Sequence, residues 1–282
     1  MPTMTDELLE QQRKAWNQFA PGWKKWDAFM MEKLRPVGEV LLETVQLKKG
    51  GRVLDAATGT GEPGLTAATR IGSDGEVIGF DVAEAMVEIA NANAKRREIQ
   101  NYLAIVSDGA TLPQPSDYFD AIVCRFGIIF FPDPLVSLRE LRRVLKSEGI
   151  AAFSAWGPPS KNPWATAIAG IVNKMLNLPI PPQDAPGIFR FPEAGSLSSL
   201  LKQVGFKEVQ EKEITGEMSY ESPEQYWQMM TEVAAPIAMA LGKTDPEMRE
   251  KIRNSVLETV QSKMVEGRLS LPWSAWIVSG VK

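Results

Sequence analysis

From residue 52 onward the chain alternates between two hydrophobic periods. Short apolar runs ending at glycine, proline or an acid are separated by longer stretches in which apolar residues recur at three and four positions. The runs at 52–56, 76–81, 102–107, 119–124 and 149–155 predict strands, and 62–71, 83–97 and 134–145 predict helices. Such alternation predicts an α/β protein with a doubly wound, mostly parallel sheet, whose ligands bind at the carboxyl ends of the strands. A helix over 195–205, a sixth strand at 206–214 and a last strand at 271–280 bring the sheet to seven strands.

The flanks follow the 3.6 period. Residues 5–19 predict a helix with Thr5 or Asp6 as N-cap and Glu7 and Glu10 at the positive end of its dipole. Pro21 and Gly22 are expected to end it, with further helices over 22–34 and from Pro36 to Val45. Trp16, Phe19, Trp23, Trp26 and Met30 fall at helical spacing across that break, a stripe that suits core or pocket wall equally. Asp27 is either a solvated helix acid or a proton acceptor. After Trp156 the composition shifts to GPPSKNPW, a proline-rich stretch and an apolar helix at 164–177, expected to lie over the site. Residues 222–266 predict a helical cap whose methionines fill gaps. The expected divisions are N-terminal helices 1–45, core 46–157, insertion 158–195, core 196–221, cap 222–266 and final strand 267–282.

The chemistry concentrates in VLDAATGTGEPG at 53–64, which runs from a strand into a glycine turn. Gly59, Gly61 and Gly64 let the backbone turn tightly and approach a ligand, and the free N–H groups of the following helix face the turn. Their G-x-G-x-x-G spacing also suits a dinucleotide. Asp55, four positions before Gly59, separates the two. A carboxylate there repels pyrophosphate and favours the sulfonium and ammonium of S-adenosylmethionine. Asp81, twenty positions after Gly61, can accept ribose hydroxyls in either class.

These residues resemble the class I S-adenosylmethionine-dependent methyltransferases, and more narrowly the branch similar to the ubiquinone and menaquinone C-methyltransferases. The resemblance covers about residues 35–165, through VLDAATGTGEPG, GFDVAEAM (79–86), SDGATLP (107–113), FDAIVCRFGIIFFPDP (119–134) and LRRVLKSEGIAAFSAWGPPSKNPW (141–164). It implies a Rossmann-like methyltransferase fold. It also implies that Asp55, Ala57, Gly59 and Gly61 hold the methionine moiety, Asp81 the ribose, and Val82 and Met86 the adenine. Asp108, Gly109 and Ala110 would flank the adenine amine, and the backbone at Arg125 and Phe126 would face the methionyl amino group. Ala57 stands where that family often has glycine. Trp16, Phe19, Trp23, Trp26 and Phe130 are the expected acceptor walls, and Arg125 suits either a structural ion pair or a substrate contact.

Composition narrows the partners. A net charge of −4 without a basic stripe argues against nucleic acid or an anionic membrane surface. No run reaches the roughly 18 apolar residues of a membrane span, and the polar, acidic N-terminus is unlike a secretory signal. Cys124 is the only cysteine and there is no histidine, which excludes an internal disulfide, fits a reducing cytoplasm and leaves no thiolate metal cluster. The expected enzyme is an S-adenosylmethionine-dependent methyltransferase with no metal, acting on a small apolar, aromatic or quinol-like molecule by in-line displacement. The rivals are a nicotinamide-dependent oxidoreductase and a non-catalytic protein that binds the adenosyl cofactor. Oligomeric state leaves no mark in the sequence.

Overall fold

The computed structural model describes residues 4–282 apart from 180 and 183, two positions of the expected insertion that lie outside the described residues. The strands are β1 (Arg52–Ala56), β2 (Glu76–Asp81), β3 (Tyr102–Val106), β4 (Phe119–Arg125), β5 (Leu145–Trp156), β6 (Lys207–Tyr220), β7 (Met264–Val265) and β8 (Arg268–Val281). The helices are α1 (Met4–Lys25), α2 (Asp27–Thr44), α3 (Gly64–Ile71), α4 (Glu84–Arg96), α5 (Pro134–Val144), α6 (Pro163–Met175), α7 (Ser196–Gln203), α8 (Pro223–Val233), α9 (Ala235–Gly242) and α10 (Pro246–Gln261).

The sheet order is β3-β2-β1-β4-β5-β8-β6, parallel from β3 to β5, with β8 antiparallel to both its neighbours. Those seven strands are the expected ones. The eighth, β7, is a two-residue hairpin arm that pairs only with β8. Central strands β1 and β4 bury both faces, so Val53, Leu54, Ala121, Ile122 and Val123 form continuous apolar runs rather than alternating ones. Because β1 lies between β2 and β4, its carboxyl end is where the strand order reverses, the natural crevice of such a sheet.

The N-terminal helices correct the sequence expectation. Pro21 and Gly22 do not end α1, which continues to Lys25, and α2 runs unbroken through Pro36. The backbone N–H of Trp26 donates to Gly22 and that of Met30 to Trp26, at 3.0 and 2.8 Å, so the hydrogen-bond ladder carries on past Pro21 and across the junction. Tertiary packing outweighs the lost proline bonds: Met30, Leu34, Val37, Leu41 and Leu42 bury one face of α2. Gly22 serves contact rather than termination, since a Cβ there would lie 2.1 Å from the carbonyl oxygen of Glu232 on α8.

Strands β6 and β8 outrun their expected bounds because they pair from Lys207–Val281 to Tyr220–Leu269, and β5 starts earlier because Leu145 pairs with Phe119 of β4. The expected cap divides into three helices at signals present in the sequence. Pro236 lies in the first turn of α9, and Asp245 caps α10 by accepting from Met248 N–H at 2.9 Å. The stretch GPPSKNPW is tethered by fully buried Asn162. Its amide nitrogen reaches the carbonyls of Gly157, Pro158 and Ser274, each at 3.1 Å, while its oxygen accepts from Ser274 N–H and Trp164 Nε1. That hub fixes α6 to the carboxyl end of β5.

Gly22→Ala gains up to about 1 kcal/mol in helix propensity but forces α1 off α8, an overpacking cost of about 1–3 kcal/mol. The variant is expected to unfold at lower urea concentration than the wild type; an unchanged or raised midpoint would show that the α1–α8 contact is not tight.

Candidate functional site

The turn after β1 is built from left-handed residues: Ala57, Gly59 and Gly61 have φ of 53°, 55° and 114°. A Cβ on Gly59 would meet nothing within 4 Å, so this side of the turn is open, whereas one on Gly61 would strike Leu65 at 2.7 Å. Ala57 keeps the left-handed conformation despite its methyl. The room comes from Gly127, where an added Cβ would sit 2.3 Å from that methyl. Thr58 N–H donates to the carbonyl of Phe80 at 2.8 Å, tying the turn to β2.

Two carboxylates frame the turn. Asp55 is fully buried; its Oδ2 accepts from Thr58 Oγ1 at 2.6 Å and from Gly64 N–H at 2.9 Å, and its Oδ1 is buried without a partner. Asp55 is thus half committed to the scaffold, capping α3 with one oxygen, while the sequence suggested a carboxylate that projects toward the turn. Burial pushes its carboxyl up to about 7, against the pull of the Thr58 and Gly64 bonds. Asp81 accepts from Gly59 N–H at 3.0 Å on Oδ2 and from Ala83 N–H at 3.1 Å on Oδ1, and burial pushes it up to about 6. Each Asp81 oxygen keeps a lone pair for a further donor.

The remaining expected cofactor residues surround this frame unequally. Val82 follows Asp81 directly and is half-buried. Met86 instead lies in a small apolar cluster with Ala20, Ala83 and Ile89, under Trp16 and Trp23, so α1 sits on the start of α4. Asn17 fastens that contact, bonding Glu84 at 2.8 Å and Ala85 N–H at 3.0 Å. Asp108 accepts from Ala110 N–H at 2.9 Å, and Gly109 lets this loop lie on the Phe80 ring, where a Cβ would come within 2.8 Å. Phe126, with φ of 62°, takes its N–H to Ser154 Oγ at 2.9 Å and stacks on Trp156 with centroids 3.9 Å apart.

The aromatic stripe divides. Trp16 meets Phe130 edge-on at 5.1 Å and Trp23 at 6.0 Å, which brings three expected wall residues together. Phe19 is buried. Trp26 points elsewhere, to Glu232 at 2.7 Å and to Phe29, which continues to Tyr220 and Tyr226. Phe29, Trp156, Trp164 and Tyr220 were not singled out from the sequence; for Trp156 the available signal was its place at the carboxyl end of a strand. Asp27 is no solvated acid. Its side chain is 17% exposed, Oδ2 accepts from Asn93 at 3.3 Å, and Oδ1 is buried without a partner. The ion pair open to Arg125 does not form among the described residues; its Nη2 donates to Met31 Sδ at 3.1 Å. Cys124 is fully buried, and burial pushes its thiol up to about 12, which leaves it inert.

A family described as a methyltransferase domain matches residues 47–175. The nocamycin O-methyltransferase of Saccharothrix syringae is 31% identical over 195 residues, covering 66% of this chain and 70% of that protein. The chain belongs to the S-adenosylmethionine-dependent methyltransferases. A demethylmenaquinone methyltransferase of Staphylococcus carnosus is 28% identical over 185 residues, or 62% of this chain and 76% of the relative. Among solved structures, the YcgJ protein of Bacillus subtilis superposes with a TM-score of 0.56 at 20% identity, over 88% of this chain and 98% of that one, and shares the fold. The methyltransferase turn fits a cationic adenosyl cofactor on its own geometry: an open Gly59 face, an unpartnered Asp55 oxygen and an Asp81 with acceptor capacity left.

Both framing carboxyls are raised in the folded state, so the native methyltransferase retains protons that the unfolded chain has lost. Their stabilising contribution is full below the ordinary carboxyl value of 3.8 and is lost as pH rises through about 6 and about 7. In urea titrations, stability from these groups falls with pH over that window by up to roughly 1.4 kcal/mol per pH unit for each group. Asp55→Asn is expected to show a shallower fall than the wild type, and parallel curves would contradict the assignment.

Proposed function

We propose that this methyltransferase moves a methyl group to a small apolar acceptor, aromatic or quinol-like, at the carboxyl ends of β1, β2 and β4. The observation that carries the reading is the pair of buried carboxylates around an open glycine turn, an arrangement suited to a cation and hostile to a pyrophosphate. In this reading Asp55, Ala57, Gly59 and Gly61 receive the methionine moiety of S-adenosylmethionine, and Asp81 accepts its ribose hydroxyls. Val82 and the loop of Asp108, Gly109 and Ala110 border the adenine, with Met86 beneath, and the backbone at Arg125 and Phe126 faces the amino group. When bound, S-adenosylmethionine supplies a sulfonium-activated methyl that an acceptor's electron pair attacks in line, the carbon–sulfur electrons returning to sulfur and leaving a neutral thioether.

The chain's own contribution is to position and to exclude water. Trp16, Trp23 and Phe130 make an aromatic corner where α1 meets the loop after β4, which supports an apolar acceptor. The N-terminal helices, the insertion over 158–195 and the cap over 222–266 are read as the walls that close on it. Relatives named for demethylmenaquinone and for nocamycin support a small organic acceptor. A cytoplasmic location is supported by the lone buried cysteine; no helix among the described residues is long and apolar enough to cross a membrane.

Calorimetric titration with S-adenosylhomocysteine tests the reading. The wild type is expected to bind, and Asp81→Ala to weaken binding roughly tenfold or more, as loss of a charge-assisted bond of about 1.5–3 kcal/mol implies. Labelled methyl should pass from donor to a reduced naphthoquinone or to another small molecule of a cell extract. Binding unaffected by Asp81→Ala, or labelled donor with no labelled product, would contradict it.

A further inference from the structure

Arg125 ends β4 with a guanidinium that makes no ion pair among the described residues. Its partner is the thioether of Met31 on α2, at 3.1 Å, a weak acceptor for a charged donor. Three carboxylates act on it electrostatically, Glu62, Asp55 and Asp27; each has another partner, and the Oδ1 atoms that Asp55 and Asp27 keep free make no ion pair with it. Glu62 pairs with Arg97 and accepts from Thr66 N–H and Oγ1 at 3.2 and 2.7 Å. Asp55 accepts from Thr58 and Gly64, and Asp27 lies against Asn93 at 3.3 Å and Arg96 at 4.0 Å. Burial disfavours the guanidinium charge, yet arginine keeps its proton in proteins. A partly buried fork of five N–H donors facing a sulfur is an incomplete site, because a charge drawn into the fold is ordinarily paired.

The placement says what would complete it. Arg125 immediately precedes Phe126, whose backbone is fixed by Ser154 and whose ring is clamped on Trp156, so the side chain leaves a rigid strand end beside the glycine turn. Met31 lies on α2, outside the 47–175 stretch shared with the methyltransferase domain family. It holds the guanidinium with an acceptor weak enough to be displaced.

We propose that Arg125 receives an anionic oxygen carried by a bound ligand, which takes the place of the Met31 sulfur. The proposal rests on the methyltransferase reading of the site. Two ligands carry that chemistry there: the methyl donor, through its α-carboxylate, and the acceptor, through an ionised hydroxyl or carboxylate. Either can meet the planar fork with two parallel charge-assisted bonds.

The full-length wild type, Arg125→Met and Arg125→Lys would be titrated calorimetrically with S-adenosylhomocysteine and its decarboxylated analogue. 2-Naphthoate and the neutral 2-naphthalenemethanol give a matching acceptor-side pair. Arg125→Met is expected to weaken one anionic probe roughly tenfold or more while leaving its uncharged counterpart unchanged, with Arg125→Lys restoring part of the loss. Loss on S-adenosylhomocysteine identifies the donor carboxylate, and loss on 2-naphthoate identifies the acceptor. The proposal is overturned if Arg125→Met binds both anionic probes like the wild type, or loses charged and neutral partners alike. Failure of the wild type to bind S-adenosylhomocysteine would remove the methyl-donor reading itself, before any variant is compared.

Discussion

Two carboxylates taken out of water at adjacent strand ends constrain everything else in this protein. Asp55 and Asp81 are each held by a backbone N–H of one glycine turn, Gly64 for the first and Gly59 for the second. The turn therefore cannot move without stranding a buried acid. Thr58 extends the network, donating to Asp55 and lying 2.8 Å from the Tyr102 hydroxyl, so β1 and β3 meet across the turn. Gly79 on β2 makes the crossing possible, since a Cβ there would come within 2.6 Å of that hydroxyl. Burial and the neighbouring Asp55 push the Tyr102 phenol far upward, so it serves as a neutral member of the network. Burial raises both carboxyls, so their ionised forms cost stability that a nearby positive charge would restore.

The periphery is fastened to that frame and to itself at a few points. Helix α1 reaches over the start of α4 through the Met86 cluster and Asn17, and touches α8 through Gly22. Trp23 and Trp26 hydrogen-bond to Val233 and Glu232 at the end of α8, joining the N-terminal helices to the cap. Asn162 binds the start of α6 to the end of β5 and to β8. These contacts lie far apart in sequence, and two of them depend on a residue with no freedom to change size: Gly22 under a carbonyl, and Asn162 with both ends of its amide occupied.

How much was legible in the sequence follows from how local each signal is. The strand, turn and acid pattern from Val53 to Asp81 was readable because period, glycine spacing and strand-end acids are local, and the strand bounds there agree within a residue. Pro21 misled because a proline's local cost says nothing about the helix face packed beyond it. Asp27 stays open between a solvated acid and a proton acceptor until Asn93 of α4 is placed beside it, and Arg125 stays open between an ion pair and a ligand contact until its guanidinium is found on the Met31 sulfur. The division of the aromatic stripe at Trp26 depends on Glu232 of α8, which takes the indole N–H. Ala57 was legible as a departure, but its accommodation by Gly127 needed the loop after β4 to be placed beside it.

If the buried acids are held partly protonated for a cationic methyl donor, that donor must expel protons when it arrives. The direct measurement is calorimetric titration of the protein with S-adenosylmethionine at a pH between about 6 and about 7, the values to which burial raises Asp81 and Asp55, in buffers of low and high ionisation enthalpy. The account predicts net proton release, seen as a binding enthalpy that shifts with the buffer in the direction of buffer protonation. Binding with no buffer dependence, or with proton uptake, would contradict it.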